Sequence, residues 1–316
     1  MKKIFLVLTA MLLVLAACEQ NGGFDSTTPF IGGTQGLKAE FVDSFPPARV
    51  SDASDGTEDA FDVIISIANR GETAVASGDV RVQLSGFPAS QFGMSIDELR
   101  AVSDEVLEAN EKNPDGSIVS SFPIEVSFSG LAYQQTVQGS QPFPFRADIC
   151  YKYETRASST LCVKNDFRRD QSGDLCMVAS TRQVFNSGAP IQVTRMSQSS
   201  AGSDSTRISF TIENRDTGKV FEQGNDCQDD TRRENRVLVR VEGFDGDGET
   251  IQCRGLRDVT DTGGNEGFVI LDNQGSVDIS CDIGFSERSP RIQPFNIVLE
   301  YDYNEQIQKN VVVERS

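Results

Sequence analysis

Among its 316 residues the chain has no histidine and no tryptophan. The missing histidine removes Ser–His and Cys–His nucleophile pairs and most zinc and copper sites. There is no Gly-x4-Gly-Lys-Ser/Thr phosphate cradle, no Gly-x-Ser-x-Gly elbow, no Cys-x-x-Cys and no Asn-x-Ser/Thr sequon. Lysine is scarce, 8 against 21 arginines, while Asp plus Glu number 47 and the net charge is -18. Nucleic acid demands a basic footprint, so none is expected as a partner, and electrostatic docking on anionic lipid is disfavoured too. A lysine-poor, acid-rich surface is also a composition suited to high salt, in which case stability should fall as salt is withdrawn.

What is present begins at the N-terminus. Met1-Lys2-Lys3 opens with positive charge, Ile4 to Leu15 is apolar, and Leu15-Ala16-Ala17-Cys18 follows. Charged start, short apolar run and small residues at the cut describe a secretory signal over 1–17. The run is shorter than the about 20 residues that a membrane-spanning helix needs. A cysteine directly after Ala-Ala resembles the lipobox of bacterial-type lipoproteins. The resemblance implies cleavage between Ala17 and Cys18 and lipidation of Cys18. Loss of Lys2 and Lys3 takes the net charge to -20, so membrane attachment would rest on the lipid alone. The expected location is extracytoplasmic, anchored to the outer face of the cell membrane or to an outer membrane. Residues 18–36, polar and rich in Gly and Thr, read as the lipidated terminus and a flexible tether with an end-to-end distance of roughly 25 Å.

Setting Cys18 aside leaves six cysteines, an even set that an oxidising compartment would pair. Six allow fifteen pairings. Cys253 with Cys281 joins two β-like segments, Cys162 with Cys176 clamps a loop, and Cys150 with Cys227 is then left to brace the two halves. Cys150 with Cys162 is an equal rival within the first half.

Beyond the tether, short apolar runs alternate with turn residues, the pattern of an antiparallel β-sandwich. Phe61–Ala68, Asp79–Leu84 and Pro123–Phe128 read as strands. Ser95 and Glu98 have capping-box spacing and precede Leu99, Val102, Val106 and Leu107, so 96–109 is expected to be a short helix.

An internal repeat organises the rest. Ile149-Cys-Tyr-Lys-Tyr-Glu154 followed by Leu161-Cys-Val163 corresponds to Leu299-Glu-Tyr-Asp-Tyr-Asn304 followed by Val311-Val-Val313. Each copy reads as a closing hairpin with two tyrosines on one strand face. Asn69-Arg70 before Val80–Phe87 likewise corresponds to Asn214-Arg215 before Val237–Phe244. The Asn-to-Phe spacing is 18 in one copy and 30 in the other, so a 12-residue insertion carries Cys227. The fold expected is all-β, with two tandem immunoglobulin-like antiparallel sandwiches at 37–186 and 187–316. On these residues the chain resembles immunoglobulin-like or adhesion-type sandwich modules of prokaryotic surface proteins. It is also similar to archaeal secreted proteins with a paired Cys-Tyr-x-Tyr domain. Unlike an antibody domain it has no core Trp, and its cysteine precedes the tyrosine.

The resemblance implies binding, spacing or adhesion rather than catalysis. The expected function is a lipid-anchored, non-catalytic surface protein that needs no cofactor and meets an envelope or extracellular protein or glycan. A docking subunit of a secretion, pilus or transport assembly is the alternative, and a glycan hydrolase using paired carboxylates comes third. Tyr151, Tyr153, Tyr301 and Tyr303 are a candidate binding face, since tyrosine supplies contact area at low entropic cost. Asp245, Asp247 and Glu249 resemble part of a calcium loop, although the EF-hand positions of glycine and glutamate are missed. A hairpin turn is the simpler account of that stretch.

Overall fold

Every second side chain is buried along Phe61–Asn69 and along Val80–Ser85. That period of two is what a strand with one wet face requires. The computed structural model describes residues 28–56, 59–227, 230, 232–244, 246, 248–258 and 264–316. Ala17, Cys18, Asp245 and Asp247 lie outside the described residues.

The described residues are all-β, with only short 3-10 turns besides strands. In chain order the first half contains β1 (Leu37–Phe41), β2 (Arg49–Ser51), β3 (Phe61–Asn69), β4 (Val80–Ser85), β5 (Arg100–Val102), β6 (Glu111–Lys112), β7 (Ile118–Val119), β8 (Ile124–Leu131), β9 (Ser140–Val163), β10 (Ser180–Arg182) and β11 (Val184–Asn186). The second half contains β12 (Ile191–Ser200), β13 (Ser205–Asn214), β14 (Lys219–Phe221), β15 (Arg236–Glu242), β16 (Glu249–Arg254), β17 (Glu266–Ile270), β18 (Ser276–Phe285) and β19 (Arg291–Glu314).

Two 24-residue strands dominate. β9 and β19 pair antiparallel over their whole length, from Ser140 opposite Glu314 to Val163 opposite Arg291. At about 3.3 Å per residue this ribbon has a contour length of about 80 Å. It forms the spine of a large sheet ordered β17-β15-β19-β9-β4-β5. The odd-numbered residues of β9 from Phe143 to Val163 are all buried. Two smaller sheets cover that face. The sheet β1-β3-β8 covers the end nearer Phe145, whose ring lies 6.1 Å from that of Phe61. The sheet β10-β12-β13-β18-β16 covers the other end.

Several sequence expectations change. Residues 96–109 form no helix. The capping box does close, with Ser95 N donating to Glu98 Oε2 at 2.8 Å. The chain then enters β5, which pairs with β4 (Arg81 opposite Val102). Only Leu99 and Leu107 of the proposed apolar stripe are buried, while Val102 and Val106 are exposed. A buried helical face needs the whole stripe, so pairing with the sheet prevails over the local cap. The two closing hairpins are absent as well, because each copy runs on as one strand. Thr155-Arg-Ala-Ser-Ser-Thr160 has no Gly, Pro, Asn or Asp to turn it, and its Thr155, Ala157 and Ser159 alternate inward. Glu249 begins β16, which belongs to a different sheet from β15, so these two strands are not paired as a hairpin.

The tether is shorter than its composition implies. Ile31 N and Gly32 N donate to the two oxygens of Glu72 at 2.8 and 3.0 Å, and Gly188 N joins Oε2 at 2.8 Å. Lys112 Nζ donates to the Thr28 carbonyl at 2.9 Å. Residues 28–36 are therefore docked on the body.

Candidate functional site at the seam

The two tyrosine pairs meet at the centre of the ribbon. Tyr151 is opposite Tyr303 and Tyr153 opposite Tyr301, flanking Lys152 opposite Asp302. Antiparallel pairing of two like strands generates a local two-fold relation, and the tyrosines surround its axis. Ring centroids are 5.8 Å apart for Tyr151–Tyr303 and 6.5 Å for Tyr153–Tyr301. All four rings are at most 1% exposed, so they are core and present no binding face. Period-two spacing places both tyrosines of a strand on one face without saying which face meets solvent.

Buried phenols need partners, and each half supplies them alike. Tyr153 Oη donates to Asn69 Oδ1 at 3.1 Å, and Tyr303 Oη donates to Asn214 Oδ1 at 3.2 Å. Both asparagines also shape a turn, with Nδ2 donating to the carbonyl four residues on, Thr73 at 2.7 Å and Gly218 at 2.9 Å. The first tyrosine of each strand accepts from the start of a covering strand: Tyr151 from Leu37 N at 3.3 Å and Tyr301 from Ile191 N at 3.5 Å. Burial pushes all four phenols above their ordinary range.

The likeness stops two residues further along each strand. Thr155 Oγ1 donates to the Ile191 carbonyl at 2.6 Å and lies 2.9 Å from Tyr301 Oη, which closes the network. The corresponding residue on the other strand is Glu305. Tyr151 Oη donates to Glu305 Oε1 at 3.4 Å. Burial, together with the Asp216 carboxylate, pushes the Glu305 carboxyl up to about 7. Glu305 lines a polar cavity of about 460 Å³ with Asp148, Asp216, Gln35, Lys219 and Cys227. A carboxyl with a shifted titration in a cleft is a candidate functional group. Neither Glu305 nor Asp216 stands out in the sequence. The signal that finds Glu305 is its mismatch with Thr155 when the two Tyr-x-Tyr copies are laid together.

The disulfides complete the site. Cys150–Cys227, Cys162–Cys176 and Cys253–Cys281 are formed, and Cys150–Cys162 is not. The first pins the loop after β14, the part expected as an insertion, against β9. Beneath that loop Asp302 is 1% exposed and accepts from Asp226 N at 2.8 Å. Burial raises its carboxyl above the usual range. Lys152, directly opposite, turns instead to Asp79 at 2.6 Å. Glu249, the described member of the calcium candidate, begins β16 and receives Arg291 Nη2 at 3.1 Å. Among the described residues no group of three acids, cysteines or histidines is placed to hold a metal.

No family model matches the chain, and no curated protein matches it. Among solved structures, an envelope protein, VP37, from White Spot Syndrome Virus aligns 98% of its length with 49% of this chain at 8% identity and a TM-score of 0.19. A likeness that low carries no argument about fold or function.

Proposed function

We propose that the chain is a lipid-anchored, non-catalytic protein of the cell surface or envelope, built from two related immunoglobulin-like sandwich domains and displaying a binding surface to an envelope or extracellular macromolecule. The observation that carries this reading is the β9–β19 ribbon. Two layered halves share one sheet across 24 residue pairs, so they cannot hinge as beads on a string do. A stiff body with wide sheet faces suits display and recognition better than closure around a substrate. Three disulfides fit an oxidising compartment outside the cytoplasm.

The anchor and the docked N-terminal segment belong to the same reading. From Cys18 to Thr28 the chain reaches at most about 35 Å, and residues 31–36 lie against the seam through Glu72 and Tyr151. A lipid at Cys18 would tether the body from its middle, by a leash of at most that length, rather than from either end of the ribbon. Cross-linking on intact cells, followed by partner identification, tests the function: a reproducible surface partner supports it, and recovery of none above background counts against it. Cys18→Ser tests the anchor. The variant should leave the membrane fraction with its melting temperature unchanged, and retention in the membrane would reject lipid attachment.

A further inference from the structure

The outer face of the five-stranded sheet bears a feature at odds with a chain of net charge -18. Its central rows are built of small hydroxyls: Ser197 opposite Ser209, Ser209 opposite Ser280, and Ser280 opposite Arg254. Long side chains rise on both sides of that row. On one side Arg207 forks onto Asp282 with Nε–Oδ1 at 2.6 Å and Nη2–Oδ2 at 3.0 Å, and Arg254 Nη2 shares Oδ2 at 2.6 Å. One carboxylate thus serves two guanidinium groups. On the other side Arg195 and Arg215 both turn to Glu213, at 3.0 and 3.1 Å. The groove between them is about 530 Å³ and has Ser209, Thr211, Asp278 and Ser280 along it and Arg195 and Arg254 at its rims.

Backbone geometry sharpens the case for Arg195. The β12–β13 register slips between Thr194 and Ser197, and Arg195 has φ 46°, in the left-handed region. A bulge re-aims a side chain, and a non-glycine residue held there is strained. The Thr194 hydroxyl beside it is buried without a hydrogen-bond partner. A plain antiparallel pairing of β12 with β13 requires none of this. Arg195 and Arg254 keep side-chain exposures of 69% and 66%, and each guanidinium has five donors, most of which face water.

We propose that this groove binds an acidic saccharide, its carboxylates held by Arg195 and Arg254 and its hydroxyls by Ser209, Ser280 and Asp278. Guanidinium forks match carboxylates. The hydroxyl row supplies donors and acceptors at the inter-strand spacing of about 4.8 Å, and Asp278, already accepting from Thr211 Oγ1 at 2.6 Å, can accept hydrogen bonds from sugar hydroxyls. That lone carboxylate in the floor, and the acidity of the whole chain, disfavour a densely sulfated polymer and favour carboxylates spaced by hydroxyls. The proposal rests on the binding function above and names its ligand class.

The test is titration calorimetry of the detergent-solubilised full chain with a galacturonate trimer, with its methyl ester and with acetate. Saturable binding of the trimer is expected, with the ester at least about tenfold weaker, as for loss of a charge-assisted contact. Arg195→Gln and Arg254→Gln should each weaken binding by about the same factor, and Arg254→Lys by less. Ser209→Tyr should block the groove without changing its charge, whereas Glu305→Gln at the seam should leave binding intact. Melting curves confirm that each variant is folded. Absence of saturable binding, equal affinity for the ester or for acetate, or indifference to both arginine variants would overturn the proposal. A cross-linked surface partner that persists alongside such a result would overturn the saccharide alone, while saccharide binding without any surface partner would instead tell against a macromolecular target on that cell.

Discussion

Thr155 and Glu305 occupy the same place in two strands that are otherwise matched around the seam. Each follows the second tyrosine of its strand by two residues and reaches the first tyrosine of the other strand. Thr155 is fully buried and makes two short contacts, so Tyr301 is sealed. Glu305 makes one long contact to Tyr151, faces Asp216 and borders a cavity. Both sit in unbroken antiparallel register while the chemistry is opposite: one side is a finished hydrogen-bond network, the other a titratable opening. A repeat can therefore hold a fold constant while a single position separates a structural half from a responsive one.

Three experiments probe this comparison. The largest effect is expected at the glycines beneath the second tyrosines. A Cβ at Gly71 would lie 2.0 Å from the Gly188 carbonyl oxygen and 2.1 Å from Tyr153 Oη, and a Cβ at Gly218 would lie 2.4 Å from the Asn304 oxygen and 2.5 Å from Tyr303 Cε1. Gly71→Ala and Gly218→Ala should each cost about 3 kcal/mol or more and lower the melting temperature by roughly 6–10 °C, with Gly71→Ala the worse. Near-native melting of both would mean that close packing around the tyrosines matters little.

Next in size, Cys150→Ser with Cys227→Ser removes the brace over Asp302. A loss of about 2–4 kcal/mol is expected, accompanied by faster amide exchange in 222–227. Exchange unchanged in that segment would show that the loop is held without the disulfide.

The smallest effect concerns pH. The folded value of Glu305, about 7, lies above its ordinary 4.5, so the folded state binds the extra proton. That stabilisation is fully present below about pH 4.5 and is lost as pH rises through 7, with roughly 2–3 kcal/mol of the loss falling between pH 5 and pH 8. Wild type should therefore melt lower at pH 8 than at pH 5. Glu305→Gln should flatten that slope and exceed wild type at pH 8, and Thr155→Glu should steepen it. The window stays above the titration of Asp166, drawn down to about 2 by its bond from Arg168. Identical slopes in wild type and Glu305→Gln would remove Glu305 as the responsive group.

Much of the architecture was legible because period-two patterning is local. Phe61–Ala68, Asp79–Leu84 and Pro123–Phe128 correspond to β3, β4 and β8 with their ends shifted by at most three residues, and the matched Asn–Phe landmarks to β4 and β15 at corresponding places along the long strands. Cys253–Cys281 follows from its β-like flanks, whereas Cys150–Cys162 reads as well as Cys162–Cys176 within the first half, and the fold chooses the latter. The helix at 96–109 and the two hairpins were misread because capping spacing and polar runs are local cues that pairing with a sheet overrides. The tyrosines are legible as same-face residues of a strand but neither as partners of one another nor as core, since alternation does not reveal which face another layer covers. Residues 28–36 read as tether because the groups that hold them are distant in sequence: Glu72, Lys112, Arg70, Ala189 and Gln192.

The sequence alone carries an all-β alternation, an even set of six cysteines, a repeat with a longer second copy, and a net charge of -18. Each follows from composition or from neighbours along the chain. Only the tertiary structure decided that two distant 24-residue strands pair end to end, that the four tyrosines lie inside, that Glu305 stands where its counterpart is Thr155, and that arginines otherwise scattered in sequence frame a groove of serines. The first three depend on register across about 150 residues of separation, and the groove depends on pairings between strands of the five-stranded sheet. Register is set by which faces find partners, and no local pattern records that.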